Sequence, residues 1–336
     1  LMFTLRREQD GGKWNDEEAA RHQILLNAAG TGFSYLDLES DVEFSDVESE
    51  CGRSKTRIIR SFHDFNGVPA NLSRLLKTLG RTAGEIPKAA VMPSSTRDLV
   101  NIVSVFDELK DQEKILLGMG SWGFPTRVLA GKLGSYLTFC SPPNQETAPG
   151  HIDPQSLVGL YRFREIKPST VIFCVIANPV MHSRSPHIHN PGLSACKIDA
   201  VYIPIQVDEL SSFFDLVSLL DIQGISVTLP HKEAVRAFLN SEDDSVNAVG
   251  SCNTVFPVES GWKGTNTDVP GFLAPLVSLV GEDALKRKSV TIIGAGGTAR
   301  AAAYALMSYG ARGCILNRNP EKAGALAKEF GCSFGG

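Results

Sequence analysis

Short apolar runs recur through the first half of the chain, each followed by a loop and a longer amphipathic stretch. They fall at Met2–Leu5, Phe33–Leu36, Arg57–Phe62, Ala89–Met92, Ile115–Leu117 and Tyr136–Phe139. Their spacing of about 20–30 residues is the length of one strand plus one helix in a parallel sheet. Polar chemistry collects beside these runs, at Arg6, His63 and Lys88. Functional groups gathered at the ends of parallel strands predict a (β/α)8 barrel, whose active site lies at that rim. Six strands are legible where the fold has eight, and the chain opens inside one, so about two βα units are expected upstream.

Around Thr147–Ser169 the pattern gives way to Pro, Gly and polar residues, with a short helical piece near Pro154–Tyr161, which places a boundary there. A second α/β pattern follows, with strands expected at Val171–Ile176, Ala200–Ile205 and Gly224–Thr228 and a helix near Asp208–Leu220. Ser289–Arg300 reads as strand, glycine loop and helix. Strand Cys314–Leu316 and helix Pro320–Phe330 come after it. The expected domains are therefore 1–165, 170–285 and 286–336, the last cut short.

Composition changes this picture little. The 336 residues are 43% apolar and 21% charged with a net charge of −4, as in an ordinary globular protein. Acids and bases nearly balance and no dense basic run occurs, which argues against a nucleic-acid partner. No apolar stretch approaches the roughly 20 residues needed to span a bilayer, and no signal peptide is legible, so no membrane partner is expected. The seven Cys are scattered and never form CxxC, which fits reduced thiols in a cytoplasm better than disulfides or zinc.

Three polar elements stand out in the first half: Ser61-Phe62-His63-Asp64-Phe65, Pro87-Lys88-Ala89-Ala90-Val91-Met92-Pro93, and Gly118-Met119-Gly120 with Arg127 downstream. At the mouth of an apolar strand, partial burial would lower the pKa of Lys88 and leave a neutral amine able to form a Schiff base. His63 can move protons near neutral pH, and Arg6 and Arg127 can clamp a carboxylate and hydroxyls. Taken singly, each has a plainer reading: a solvated lysine, a structural histidine, an arginine covering a helix. Together, in the order Phe3-Thr4-Leu5-Arg6, Asp10-Gly11-Gly12, the two motifs above, and Gly118 through Arg127, they resemble type I 3-dehydroquinate dehydratase over about 1–165. The resemblance implies that Lys88 forms an imine with the substrate ketone and that His63 is the general acid and base. It assigns Arg127 to the carboxylate and Arg6 to the ring hydroxyls. Asp10 stands where the family usually has a Glu supporting the histidine, and Thr147-Ala148-Pro149-Gly150-His151 where it has Ser-Ala-Pro-Gly-Gln.

In the second half, Ser183 and Ser185 can present two hydroxyls to one carboxylate, although taken alone they read more simply as a Ser-Pro helix start. The nearby His182, His187 and His189 lack a carboxylate or Cys to complete a metal site, and no metal is expected. Lys232 and Asp268, from separate loops, can form an acid/base pair for reducing a carbonyl, or merely a surface ion pair. With Thr228 and Gly250-Ser251-Cys252-Asn253-Thr254, these motifs resemble shikimate dehydrogenase over roughly 170–336. The resemblance implies a Lys232–Asp268 dyad, with Ser183 and Ser185 on the carboxylate and Thr228 and Asn253 near the ring hydroxyls. Gly294-Ala295-Gly296-Gly297 would cradle a pyrophosphate at a helix N-terminus. At the next strand end, Asn317-Arg318-Asn319 offers a cation where an NAD enzyme offers an acid, which favours NADP (as NADPH). Asn319 stands where the family usually has Thr, and Pro191 is expected to shorten or kink its helix.

The expected architecture is thus a partial (β/α)8 TIM barrel, a shikimate dehydrogenase-like α/β substrate domain and a partial Rossmann NADP domain. The expected activity dehydrates 3-dehydroquinate to 3-dehydroshikimate and reduces that to shikimate. Alternatives are a piece of a larger multi-enzyme chain, a quinate-preferring dehydrogenase, or a catalytically silent regulator. Oligomeric state is not legible.

Overall fold

The computed structural model describes residues 1–82, 84–142, 149–286 and 288–335. The chain divides into two compact units, Leu1–Ile172 with Met181–Asp221, and Phe173–Val180 with Ile222–Gly336.

The first unit is built on five parallel strands in sequence order, β1 (Met2–Thr4), β2 (Tyr35–Glu39), β3 (Arg57–Asp64), β4 (Ile86–Val91) and β5 (Ile115–Gly118). The connecting helices are α1 (Glu18–Ala29), α2 (Ser45–Ser54), α3 (Leu72–Leu79) and α4 (Thr96–Glu108). The helices cover one face of the sheet. There Leu36, Leu38 and Ile58 meet Leu25 and Val47 of the helices, while Ala89, Val91 and Leu116 meet Leu76, Ile102 and Phe106. Each such fully buried Leu, Ile or Phe contributes about 1.5–3 kcal/mol. The other face carries Ile59, Ile86, Ala90, Ile115 and Leu117. Helix α4 starts where the sequence dictates. The Ser95 hydroxyl caps Asp98 N at 3.1 Å, and the Asp98 carboxylate accepts from Ser94 N at 2.9 Å.

Tyr136–Phe139, expected as a sixth strand, is not one. Tyr136 N donates to Lys114 O at 2.7 Å, but no ladder continues from it. Leu137 and Phe139 instead pack on the inner face. An apolar run reports which side chains are buried, not whether a neighbouring strand is present to pair with. Among the described residues the sheet therefore has five strands and stays open.

After β5 come α5 (Gly120–Val128) and α6 (Ala130–Leu133), then a π-helical turn at Ser156–Leu160 inside the expected Pro154–Tyr161 piece. The unit is completed by α7 (Ser185–Ala195), β7 (Ala200–Gln206) and α8 (Leu210–Leu220). Contrary to the expected shortening, α7 runs through Pro191 to Ala195. Its anchor is Asn190, buried beneath the helix, whose side-chain amide donates to Tyr202 O at 2.9 Å and accepts from Tyr202 N at 2.8 Å. Helix α8 begins at Leu210 rather than Asp208. The Asp208 carboxylate is used instead on α4, accepting from Thr96 N at 2.9 Å and from its hydroxyl at 2.6 Å.

In the second unit the strands lie in the order β6, β8, β10, β11, β9. They are β6 (Val171–Ala177, from Phe173 on in this unit), β8 (Ile222–Val227), β9 (Ser241–Glu242), β10 (Thr254–Val258) and β11 (Gly261–Thr265). Helix α9 (Asp244–Val249) joins β9 to β10, and α10 (Asp268–Val280) and α11 (Glu282–Leu285) lead out of β11. A separate parallel sheet holds β12 (Ser289–Ile293), β13 (Arg312–Leu316) and β14 (Ser333–Gly335), linked by α12 (Gly297–Ser308) and α13 (Pro320–Phe330). Small alanines let α12 and α13 sit close on β13, in a core of Ala303, Ala323, Ala327, Leu326 and Ile315. Among the described residues no helix is long and apolar enough to cross a membrane.

Candidate functional site

Strand register builds the first site. Asp37 and Glu39 alternate with Leu36 and Leu38, so both acids point to the inner face. Glu39 pairs with Ser61, and Ser61 with Lys88, which lines up Glu39, Ser61 and Lys88 across three strands. His63 lies two residues beyond Ser61 on the same face. Asp37, Lys88 and His63 open into a cavity of about 650 Å³ that is also lined by Arg6, Asp10, Trp14, Phe65, Arg127, Phe139 and His151. The sequence placed Lys88 at a strand mouth, partly buried. In the structure it sits within β4 and is only 5% exposed.

Asp37 holds this site together. Its carboxylate accepts from Lys88 Nζ at 2.9 Å, from Arg6 Nη2 at 2.5 Å, and from the Ser61 hydroxyl. Glu39 in turn meets the buried Arg21 at 3.0 Å and Arg6 at 3.4 Å. Burial opposes ionisation of Asp37, but Lys88, Arg6 and Ser61 outweigh it and hold the carboxyl well below the usual range. Burial pushes Lys88 down, and Arg6 adds to this, while Asp37 works the other way. Burial, Lys88 and Arg6 together lower His63 to about 2, so its ring is neutral. The His63 Nδ1 atom is buried with no hydrogen-bond partner among the described residues. Phe65 stacks beside the ring, and Phe139 lies under Lys88 Nζ at 4.5 Å. A neutral imidazole and a lysine driven toward its neutral form, facing one cavity, suit amine addition to a carbonyl followed by proton transfer.

The sequence reading missed Asp37 and Glu39. It ended the second strand at Leu36, where the acids begin. The available signal was the alternation Leu36-Asp37-Leu38-Glu39, which marks a strand with one apolar and one charged face. Asp10 lines the cavity, but its carboxylate pairs with Arg7 at 2.6 Å rather than with His63. Pro149 O accepts from Gly120 N at 2.9 Å, tying the segment before His151 to the start of α5. Thr147 and Ala148 lie outside the described residues.

The second unit brings Lys232, Asp268 and Asn253 together. Lys232 Nζ forms an ion pair with Asp268, whose other oxygen accepts from Asn253 Nδ2 at 2.8 Å. Asn253 is itself fixed, its Oδ1 accepting from Thr267 N at 2.9 Å. Asp268 stands in the first turn of α10, where the helix dipole favours a carboxylate, and its N–H donates to the buried Asn266 at 3.0 Å. Thr228 follows β8 directly, and its N–H donates to Ile176 O at 3.1 Å. Ser183 and Ser185 belong to the first unit. Their hydroxyls lie 3.2 Å apart just ahead of α7, half-exposed and aligned.

The glycine loop joins β12 to α12, as read from the sequence. Gly294 has φ +118°, a conformation that excludes most side chains, and its N–H donates to Leu316 O at 2.7 Å. No atom stands within 4 Å of where a Cβ of Gly294 or Gly296 would lie. That leaves open space in front of the α12 N-terminus, which fits a dinucleotide pyrophosphate. At the β13 end, Asn317 donates to Asn319 O at 3.0 Å, and the Asn319 side chain caps α13 through Lys322 N at 3.1 Å. The departure from Thr at 319 therefore keeps a capping residue. Arg318 is exposed and has no ion-pair partner among the described residues, so its guanidinium is free for a phosphate.

Residues 1–168 match the type I 3-dehydroquinase family model, half of the chain. The chain belongs to that family. Residues 175–255 match the shikimate dehydrogenase substrate binding domain, and 278–334 the shikimate / quinate 5-dehydrogenase family. A bifunctional 3-dehydroquinate dehydratase/shikimate dehydrogenase of Arabidopsis thaliana is 32% identical over 98% of this chain and 58% of its own length. The shikimate biosynthesis protein AroDE of Chlamydia muridarum is 31% identical over 88% of this chain and 62% of its own. A pentafunctional AROM polypeptide of Candida glabrata is 29% identical over 98% of this chain and 21% of its own. The chain thus spans about three fifths of the first two relatives.

Proposed function

We propose that this chain is a bifunctional shikimate-pathway enzyme. It dehydrates 3-dehydroquinate to 3-dehydroshikimate and reduces that product to shikimate with NADPH. The observation that carries this reading is a pair of lysines, each set against an aspartate: buried Lys88 on Asp37 beside His63, and Lys232 on Asp268 beside Asn253. The reading divides the chain at 1–165, 170–285 and 286–336. The seven free cysteines favour a reducing compartment, and we assign the protein to the cytoplasm.

In the first reaction the neutral Lys88 amine adds to the substrate ketone, and loss of water leaves an imine. Arg127 holds the substrate carboxylate and Arg6 its hydroxyls, with Asp37 fixing Arg6 and Lys88 in register. Neutral His63 removes the proton beside the imine, then returns it to the departing hydroxyl as water. Water cleaves the imine and frees Lys88, so one water is lost overall. General acid–base help of this kind is worth about 10²–10⁴-fold.

In the second reaction the chemistry that bound NADPH would supply is a hydride for the carbonyl carbon. The Gly294–Gly297 loop, including Ala295, would hold its pyrophosphate, and Asn317 and Arg318 its 2′-phosphate. Lys232 donates a proton to the carbonyl oxygen, and Asp268 orients and recharges it. Thr228 and Asn253 take the substrate hydroxyls, and Ser183 and Ser185 are assigned to a carboxylate.

The test is one cuvette holding the chain, 3-dehydroquinate and NADPH, with enone absorbance and NADPH followed together. Both signals should change, and NADPH loss should require the enone. No change in either, with 3-dehydroshikimate also unreduced, would overturn the reading. A second reading, favoured by the match of 98% of this chain to 21% of a pentafunctional polypeptide, places these units inside a longer multi-enzyme chain. The intact mass of the native protein decides that.

A further inference from the structure

Lys232 does not rest on Asp268 alone. Its aliphatic stem crosses the start of α12 so closely that a Cβ at Gly297 would lie 2.9 Å from Lys232 Cδ and 3.2 Å from Lys232 Cβ. One residue on, the Thr298 hydroxyl accepts from Lys232 Nζ at 3.4 Å. Two further contacts fix the first turn of α12 around this point. Arg300 Nε donates to Val249 O at 2.7 Å, and its other end pairs with Glu329 on α13. The first turn of α12 is therefore tied to Val249 and to α13.

We infer that Thr298 is a positioning residue for Lys232, and that the first turn of the dinucleotide helix sets the direction in which this lysine offers its proton. An ammonium carries three N–H donors. With one directed at Asp268 and one at Thr298, the third is confined to a single direction, the one open to a substrate oxygen. Without the hydroxyl, the head is held by Asp268 alone and can turn about that contact. The stem contact at Gly297 ties the same lysine to the loop proposed to hold pyrophosphate. A shift of that loop therefore moves the proton donor with it. Glycine at 297 thus has a second purpose beyond closeness to phosphate, since a side chain there would push the lysine aside.

This inference rests on the dehydrogenase reading above, and its test separates the two. Thr298→Val removes the acceptor while keeping the shape, and Thr298→Ser keeps the hydroxyl. Each is compared with the unaltered full chain in 3-dehydroshikimate reduction, in NADP titration by fluorescence, and in acylation of Lys232 read by peptide mass spectrometry in cofactor-free protein. The Val variant should lose about three- to tenfold in kcat, with KM for 3-dehydroshikimate and the NADP Kd within about twofold. Its Lys232 should be acylated at least about twice as fast relative to Lys322, as a freed head reacts more readily. The Ser variant should behave like the unaltered chain on all three. An unchanged kcat and unchanged Lys232 labelling in the Val variant would overturn the inference. So would equal losses in both variants. If the unaltered chain itself reduces nothing, the dehydrogenase reading has failed. The labelling comparison still decides whether Thr298 holds Lys232.

Discussion

Replacing Asp37 by Asn is the sharpest perturbation of the first site, because it changes one charge and almost no volume. Asp37 accepts from Lys88 and Arg6 at 2.9 and 2.5 Å, and all three side chains are at most 10% exposed. Removing one partner of such a buried cluster leaves two like charges facing each other, a change that typically costs about 3–5 kcal/mol. For a unit of this size each kcal/mol is worth about 2–4 °C, so melting should fall by about 6–20 °C near pH 6. The loss should depend on pH with a definite sign. Asp37 is held below its usual range, so its contribution is present above its unfolded value of about 3.9 and disappears only in strong acid. Lys88 is held below its ordinary value, so the unfolded chain binds more protons and stability rises with pH across that interval. Asp37 is the main group raising Lys88 against burial, and taking it away widens the interval. The deficit of the Asn variant should shrink toward pH 9, at up to about 1.4 kcal/mol per pH unit. Thermal melts followed by circular dichroism at pH 6 and pH 9 would measure both effects. A melting point within about 3 °C of the parent at both pH values, or a large loss identical at both, would refute the argument.

Three further outcomes follow from the same geometry. With 3-dehydroquinate and borohydride, the parent should gain one covalent adduct on the Lys88 peptide. Lys88→Ala should gain none and lose dehydration while still reducing 3-dehydroshikimate. His63, with its ring lowered to about 2, should stay neutral in the free protein from pH 5 to 9, and imidazole NMR shifts that move across that range would contradict its burial. Asn190→Ala strands the N–H and C=O of Tyr202, each costing about 1–3 kcal/mol, so urea denaturation should show a loss of at least about 2 kcal/mol.

The candidate groups were legible in the sequence, and their roles only through the family resemblance, because strand periodicity and the local chemistry of Lys88, His63, Lys232, Asp268 and the glycine loop are short-range properties of the chain. The Gly294 turn and the basic strand end at Arg318 follow from neighbours a few residues away, and they stand where the sequence placed them. Asp37, Glu39 and the missing sixth strand are different. Whether an acid in an apolar strand is solvated or buried depends on what faces it from β1, β3 and β4, and that is set by register between segments up to 51 residues apart. Tyr136–Phe139 has the composition of a strand, yet pairing needs a partner edge that composition does not reveal. Asp10 stands where the family usually has a Glu supporting the histidine, but the structure commits it to Arg7, a choice of partner that only folded distances make. The same holds for Thr298: its hydroxyl is an ordinary first-turn residue in the sequence, and only the packing of Lys232 across α12 gives it a partner. Sequence determines which groups are available and which way each strand presents them. Tertiary structure decides which charges meet, because burial and distance set their energies.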